Sequence, residues 1–287
     1  MMMVNESSAH VSQAAIAVLL CSYNSNETLP EAVLSVLASH LPVDLFVIDD
    51  GSETPVSEVL QHHPRLFILR PARRLGLIGA LNFGLDHILP LNYRYIARMD
   101  ADDICYPQRF ARQLEFLENN PEVGVVGTWG RAIHEASKEA LFFYNFPSEN
   151  KVIRRRLFYN NCFIHPSLCL RAELFRKYGG YREAYPAAED YEIMRRFAQK
   201  TKMANIPEYL LDYRISSNGI SQSKRRRQLL TRFKIQREYV RPFCLHSYLG
   251  IMKTLCMFLI PNTLITELKH HLGKYAFRPT GKKGTAA

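Results

Sequence analysis

Runs of apolar residues alternate with stretches of helical periodicity along the first half of the chain. "IAVLLCSY" (16–23) is continuously apolar, as a strand buried on both faces must be. "NETLPEAVLSVLAS" (26–39) follows with Leu29, Val33, Val36 and Leu37 on one side of a helix. "DLFVIDD" (44–50) predicts a second strand, ended by Gly51 and Ser52, and "RLFILR" (65–70) a third. "LIGALNFGLDHIL" (77–89) reads as a helix and "YRYIARMD" (93–100) as the fourth strand. "PQRFARQLEFLENN" (107–120) predicts a helix with Pro in its first turn, stopping before Pro121. "VGVVGTW" (123–129) is another strand. This alternation predicts βαβ units on a mostly parallel sheet. Beyond it the order loosens into a helix near 148–158, a loop at 159–165, a short strand "PSLCLR", a helix led by Glu189 and a strand "YLLDYRI" (209–215).

Charge divides the chain more sharply than hydropathy does. The 287 residues carry a net charge of +10, yet residues 223–287 hold fourteen Lys or Arg against two acids. The preceding 222 residues hold 23 basic and 25 acidic side chains, so the body is near neutral and the basicity belongs to the tail. Such asymmetry points to an anionic partner for the tail. With 47% hydrophobic residues the chain can bury a sizeable core and is not a disordered one. Six scattered cysteines, with neither CxxC nor Cys/His ligand spacing, fit a reducing compartment. "MMMVNESSAHVSQ" lacks the basic and apolar regions of a signal peptide, and no stretch of about 18 apolar residues predicts a membrane span.

Acids gather where two predicted strands end. "VIDDGS" and "ARMDADD" both place Asp at strand carboxyl ends, where open α/β sheets bind ligands. Asp100, Asp102 and Asp103 repel one another unless a cation sits among them, and Mg²⁺ or Mn²⁺ suits such hard oxygen donors. An EF-hand beginning at Asp100 fails, because Cys105 and Ala111 stand where Gly and Glu are needed. An aspartyl phosphotransferase and a plain helix-capping role stay open on these residues alone.

Taken with their surroundings, these motifs resemble family 2 inverting glycosyltransferases of the GT-A fold. The ordered matches are "LLCSYNSNETLPEAVLSVL", "VIDDGS", "LGLIGALNFGL", "YIARMDADDICYPQRFARQLEFL", "VGVVGTW", "FIHPSLCLRAELFRKYGGYRE", "AAEDYEIMRRFA" and "YRISSNGIS", over about residues 15–222. The chain is most similar to bacterial enzymes that build O-antigen or exopolysaccharide repeat units on lipid carriers. The resemblance implies a Rossmann-like, mostly parallel sheet flanked by helices, as an α/β catalytic domain at 15–222. Residues 1–14 would be an N-terminal tail and 223–287 a basic helical extension. It implies that Ser22 and Tyr23, with Asp49 or Asp50, hold a uridine-like base and ribose. Asp100 and Asp102 would contact ribose and a diphosphate bound to Mn²⁺ or Mg²⁺, with Arg214 near that diphosphate. Asp190 would be the catalytic base, with Glu189 beside it orienting the acceptor. Related chains often carry a metal-binding His two residues after the Arg, where this chain has Ser216.

The residue types suit that chemistry, because inverting transfer needs a base for the acceptor hydroxyl and an electrophile for the departing diphosphate. Acids at a helix N-terminus, and the i,i+4 pair Glu192–Arg196, also have a purely structural reading. So do His165, the Gly179–Gly180 turn and Trp129, each of which also has a place on the acceptor side. A non-catalytic module keeping the nucleotide-sugar or membrane site is the alternative function.

The tail carries its own pattern. "SKRRRQLLTRFKIQREYVR" (223–241) has eight basic residues and one acid, and Leu245, Leu249, Met252, Cys256 and Leu259 then share a helical face. That combination predicts an interfacial helix at an anionic membrane through residues 223–260, with the protein cytoplasmic and peripheral to the membrane's inner face. Packing of the apolar face on the body is the alternative. No nucleic-acid recognition motif is present. The expected partners are thus a nucleotide-sugar donor, a lipid-linked or glycan acceptor, and the membrane surface.

Overall fold

The computed structural model of the chain describes residues 14–215 and 225–260. Four parallel strands form one half of the sheet: β1 (Ile16–Ser22), β2 (Asp44–Asp49), β3 (Leu66–Leu69) and β4 (Tyr95–Asp100). β5 (Ile104–Cys105), β6 (Val123–His134), β7 (Ala140–Tyr144), β8 (Cys169–Arg171) and β9 (Lys202–Ile215) complete it. The order is β3-β2-β1-β4-β8-β6-β9-β5, with β7 antiparallel on β6. β8 runs antiparallel between β4 and β6, which makes the sheet mixed, and β6 pairs β9 in parallel.

Strand residues alternate between two cores. Ile16, Val18 and Leu20 pack with Leu29, Val33 and Val36 of α1 (Leu29–Leu37) and with Phe110 and Leu117 of α4 (Arg109–Asn119). The short α2 (Val56–Val59) lies on this side too. Ala17, Leu19 and Ile96 pack instead with Leu81 and Leu85 of α3 (Gly76–Ile88) and Ile153 of α5 (Asn150–Arg156). Phe175 of α6 (Ala172–Tyr178) and Tyr191, Ile193 and Phe197 of α7 (Glu189–Phe197) complete that second core.

Two expectations are modified. The predicted strand 209–215 begins at Lys202, running past Pro207 beside a register shift in β6, and β7 carries no alternation that predicts it. The helix predicted from Pro107 starts at Arg109, so Pro107 precedes it.

The tail forms α8 (Arg225–Glu238) and α9 (Leu245–Leu259). Leu229 and Ile235 of α8 are buried, Thr231 Oγ1 donates to Pro186 O at 2.9 Å, and Gln236 Nε2 donates to Phe158 O at 3.0 Å. α9 docks through its small residues Ser247, Gly250 and Thr254. A Cβ on Gly250 would lie 2.0 Å from the Phe158 carbonyl oxygen, so only glycine allows this approach. Arg225 donates to the Met257 and Ile260 carbonyls at 2.8 and 3.0 Å, capping the negative end of α9. The apolar face is left outside: Leu245, Leu249, Met252, Leu255, Phe258 and Leu259 are all exposed, as is Cys256. No helix among the described residues is long and apolar enough to cross a membrane.

Candidate active site

The parallel register brings the carboxyl ends of β1, β2 and β4 together: Ser22 lies opposite Asp49, and Cys21 opposite Asp100. Ser22 is buried and its hydroxyl has no partner. Tyr23 is partly exposed, with the Arg74 guanidinium 3.5 Å from its ring centroid. Asn24, at φ +50°, ties this loop to the next one, accepting from Glu53 N at 2.9 Å and donating its own N–H to Ser52 Oγ at 3.0 Å. Asp49 is buried and accepts from Ser52 N at 2.9 Å, Val56 N at 3.2 Å and Arg70 Nη1 at 2.6 Å. Asp50 accepts from Leu75 N at 2.6 Å and Gly76 N at 2.8 Å, holding the start of α3. Both carboxylates are thus engaged in building the loops around Ser22 and Tyr23.

The acids after β4 are differently placed. One oxygen from each of Asp100, Asp102 and Asp103 lies within 4.8 Å of the others. Asp103 is buried, accepts the Arg214 N–H at 2.8 Å with Oδ1, and leaves Oδ2 with no partner. Burial, with Asp100 and Asp102 beside it, pushes its carboxyl well above the carboxylate range. Burial and then Asp100 push Asp102 up to about 6. Three hard oxygen donors, one of them buried and unpartnered, fit a divalent cation.

Arg214 is brought to this cluster by the antiparallel pairing of β5 with β9, where Ile104 faces Asp212. Its Nε donates to Asp102 O at 2.6 Å, Nη1 to Glu135 O at 3.0 Å and Nη2 to Glu31 Oε2 at 3.0 Å. Thr28 Oγ1 donates to Ala101 O at 3.0 Å, locking the entry to α1 onto the same loop. Ser216 lies outside the described residues.

A second acidic pair opens α7. Ala187, at φ +64°, occupies the left-handed region that alanine rarely adopts, just ahead of the helix. Glu189 is buried, and burial followed by the neighbouring Asp190 raises it to about 7. Asp190 is also raised by burial, opposed by the hydrogen bond from Asn161 Nδ2 to its Oδ2 at 2.7 Å. Its Oδ1 accepts the Tyr191 N–H at 2.7 Å.

Between the two acidic groups sits Arg98, 3% exposed and paired with Asp100. Its charge lowers the pKa of both Asp102 and Glu189, and Asp100 in turn raises that of Glu189. The strand-end cluster and the helix-start pair therefore share one electrostatic environment. The sequence reading missed Arg98 and Asn161. Arg98 had a usable signal, since residues two apart on a strand share a face and an arginine amid apolar neighbours asks for the acid at Asp100. A single loop Asn has none.

The weaker candidates have structural partners. His165 Nε2 bonds the Tyr181 hydroxyl at 2.8 Å, and burial pushes its pKa far down, so the imidazole is neutral. Gly179 turns the chain at φ +78°, and Arg196 donates to the Tyr178, Gly179 and Gly180 carbonyls. Trp129 Nε1 donates to Phe146 O at 2.8 Å.

Known proteins resemble the chain in sequence and in fold. The family model "Glycosyl transferase family 2" matches residues 17–179. The O-antigen biosynthesis glycosyltransferase WbnJ of Escherichia coli is 27% identical over 251 residues, covering 85% of this chain and 96% of its own. Among solved structures, S. aureus TarS 1–349 in complex with UDP-GlcNAc superposes with a TM-score of 0.66 at 14% identity, over 84% of this chain and 71% of that one. Mannosyltransferase PcManGT from Pyrobaculum calidifontis, in complex with GDP-Man and Mn²⁺, gives a TM-score of 0.60 at 15% identity, over 96% and 85%. At such identities the two structures establish the shared GT-A fold.

Proposed function

The chain belongs to glycosyl transferase family 2, and we propose that it moves a sugar, with inversion, from a UDP-linked donor to a hydroxyl of a lipid-linked glycan during bacterial surface polysaccharide synthesis. The observation that carries this reading is the convergence of the Asp100–Asp103 cluster and the Glu189–Asp190 pair around Arg98. One group is built to meet a cation and diphosphate, the other to take a proton. The O-antigen role of WbnJ and the UDP-GlcNAc complex of TarS support the product and donor classes.

Residues of the chain take the following parts. Ser22 offers its unpartnered hydroxyl, and Tyr23 its ring, to the base and ribose, in loops that Asp49 and Asp50 hold in shape. Asp100 and Asp102 would hold Mn²⁺ or Mg²⁺, which would supply positive charge for the departing diphosphate. Arg214 fixes the Asp102–Asp103 loop from behind and adds its charge near that diphosphate. Asp190, its carboxyl pKa raised by burial, accepts the acceptor's proton as the acceptor oxygen bonds to the anomeric carbon. The bond from that carbon to the phosphate oxygen breaks, and its electron pair leaves with the nucleoside diphosphate. Glu189, raised to about 7 by burial and then by Asp190, orients the acceptor beside the base.

The catalytic unit spans 15–222, after an N-terminal tail at 1–14, and 223–287 is a basic extension whose described residues, 225–260, dock on it. The exposed apolar face of α9, on a tail of net charge +12, supports a peripheral seat on an anionic membrane at its cytoplasmic face. Such a seat brings the site to a lipid-linked acceptor. The test is nucleoside diphosphate release from UDP-, GDP- and dTDP-sugars with and without chelator. Release from one donor that chelator abolishes is expected; release indifferent to chelator would sink the metal-assisted reading.

A further inference from the structure

Away from the acids, where the end of α7 meets α5 and the α8–α9 turn, Arg154, Arg195 and Arg241 line a small cleft of about 30 Å³ with Phe158, Gln199 and Tyr239. Arg195 is 7% exposed. Its Nη2 donates to Tyr239 O at 2.9 Å, and its guanidinium lies 4.5 Å from the Phe158 ring centroid and 5.6 Å from that of Tyr239. Its Nε is buried and has no partner. Arg241 approaches the Phe158 ring as well, at 6.0 Å.

The other buried arginines show how unusual this is. Arg109 spends its nitrogens on Gln113, Met99 and the Arg98 carbonyl. Arg196 spends its own on Glu192 and three carbonyls, and Arg214 spends its own on Asp102 O, Glu135 O and Glu31. Among the described residues, only Arg98 and Arg195 keep a buried Nε without a partner. Arg98 has Asp100; Arg195 has no carboxylate. The acids on neighbouring turns are already engaged, Glu192 by Arg182 and Arg196, and Glu238 by Arg182 and Tyr185. None of Arg154, Arg195 and Arg241 makes an ion pair among the described residues, so three cations converge with nothing to neutralise them. A desolvated charge of this kind is costly, and ring contacts offset only part of the cost.

We propose that the Arg154–Arg195–Arg241 cleft binds a phosphate oxyanion. The guanidinium fork matches phosphate oxygens in pairs, and three such forks line the cleft. Position says where the phosphate comes from. Arg241 is followed by Pro242 and the fully exposed Phe243, and the exposed apolar face of α9 begins at Leu245. A phosphate in the cleft thus sits beside the surface that would enter the membrane, at the level of a lipid headgroup. The lipid source rests on the membrane reading above; the oxyanion site itself does not.

The test uses the full chain and inorganic phosphate, with binding followed by ³¹P NMR and calorimetry. Arg154→Ser with Arg241→Ser should weaken phosphate about tenfold or more, and Arg195→Gln should do the same with the thermal midpoint monitored. Arg226→Ser with Arg227→Ser removes the same charge from exposed positions of α8 and should change binding by less than about twofold. Equal binding by wild type and the Arg154/Arg241 variant, or equal loss in both double variants, would overturn the site. Phosphatidylglycerol vesicles, but not phosphatidylcholine ones, should displace the bound phosphate. Failure to displace it would keep the site and assign it to a soluble phosphate. Leu249→Ser with Met252→Ser should abolish vesicle binding and leave phosphate binding intact. Vesicle binding that survives this change overturns the membrane reading alone.

Discussion

Two loops that look alike in sequence, "VIDDGS" after β2 and "ARMDADD" after β4, hold their acids in opposite ways. Asp49 takes three donors and Asp50 two, so each carboxylate has its charge met by the chain itself. Asp103 keeps a buried oxygen with no donor, and Asp102 and Asp103 are both raised by burial and then by the charge of Asp100. The first arrangement lowers the energy of the free protein and shapes a loop. The second stores repulsion that an arriving cation and donor would release. The same contrast separates Glu192, paired with Arg196, from Glu189 and Asp190 one turn earlier on α7.

The largest effect that would break this contrast belongs to the second loop. Asp102→Asn should cut turnover by on the order of 10³-fold or more while the thermal midpoint holds or rises, because a repelling charge is removed. Wild-type turnover in that variant contradicts the reading.

Much of the contrast was legible beforehand. Continuous apolar runs located β1, β2 and β4, and acids at their ends located the crevice. What could not be read is how each acid is satisfied, since the donors come from afar: Arg70 reaches Asp49 from 21 residues away, and Arg214 reaches the Asp102–Asp103 loop from more than 100. Asn161 is a loop residue whose importance appears only when folding sets it against Asp190. α9 was readable as amphipathic, but its small residues Ser247, Gly250 and Thr254 gave no sign that they, rather than the leucines, face the protein.

Next in size is the base. Asp190→Asn should lower turnover by about 10²–10⁴-fold with donor affinity retained. Asn161 is a positioning residue acting through Asp190, and its hydrogen bond lowers the pKa of that base. Asn161→Ala should therefore reduce turnover by about 10–100-fold and shift the acid limb of the pH–rate profile upward. An unmoved acid limb in Asn161→Ala would remove Asp190 from the role of base.

A smaller effect sharpens the comparison from the satisfied side. Asp49→Asn should cost about 1–3 kcal/mol of stability by leaving a buried network short of an acceptor. At about 2–4 °C per kcal/mol, calorimetry will resolve the loss. The pH dependence has the opposite origin. Asp102 and Glu189 carry raised pKa values, so the folded chain binds protons more tightly than the unfolded one. The stability they contribute is present below the ordinary carboxylate range and is lost as pH rises toward about 6 to 7. Without divalent cation the thermal midpoint should fall across that window, and Mn²⁺ should flatten the fall.

The central claim is that the unsatisfied acids after β4, and not the satisfied ones after β2, hold the cation. Mn²⁺ binding to the full chain, measured by calorimetry in wild type, Asp102→Asn and Asp49→Asn, tests it most directly. The account predicts that Asp102→Asn weakens Mn²⁺ by about tenfold or more, while Asp49→Asn binds it as wild type does. Equal affinity in wild type and Asp102→Asn, or a loss confined to Asp49→Asn, would contradict it.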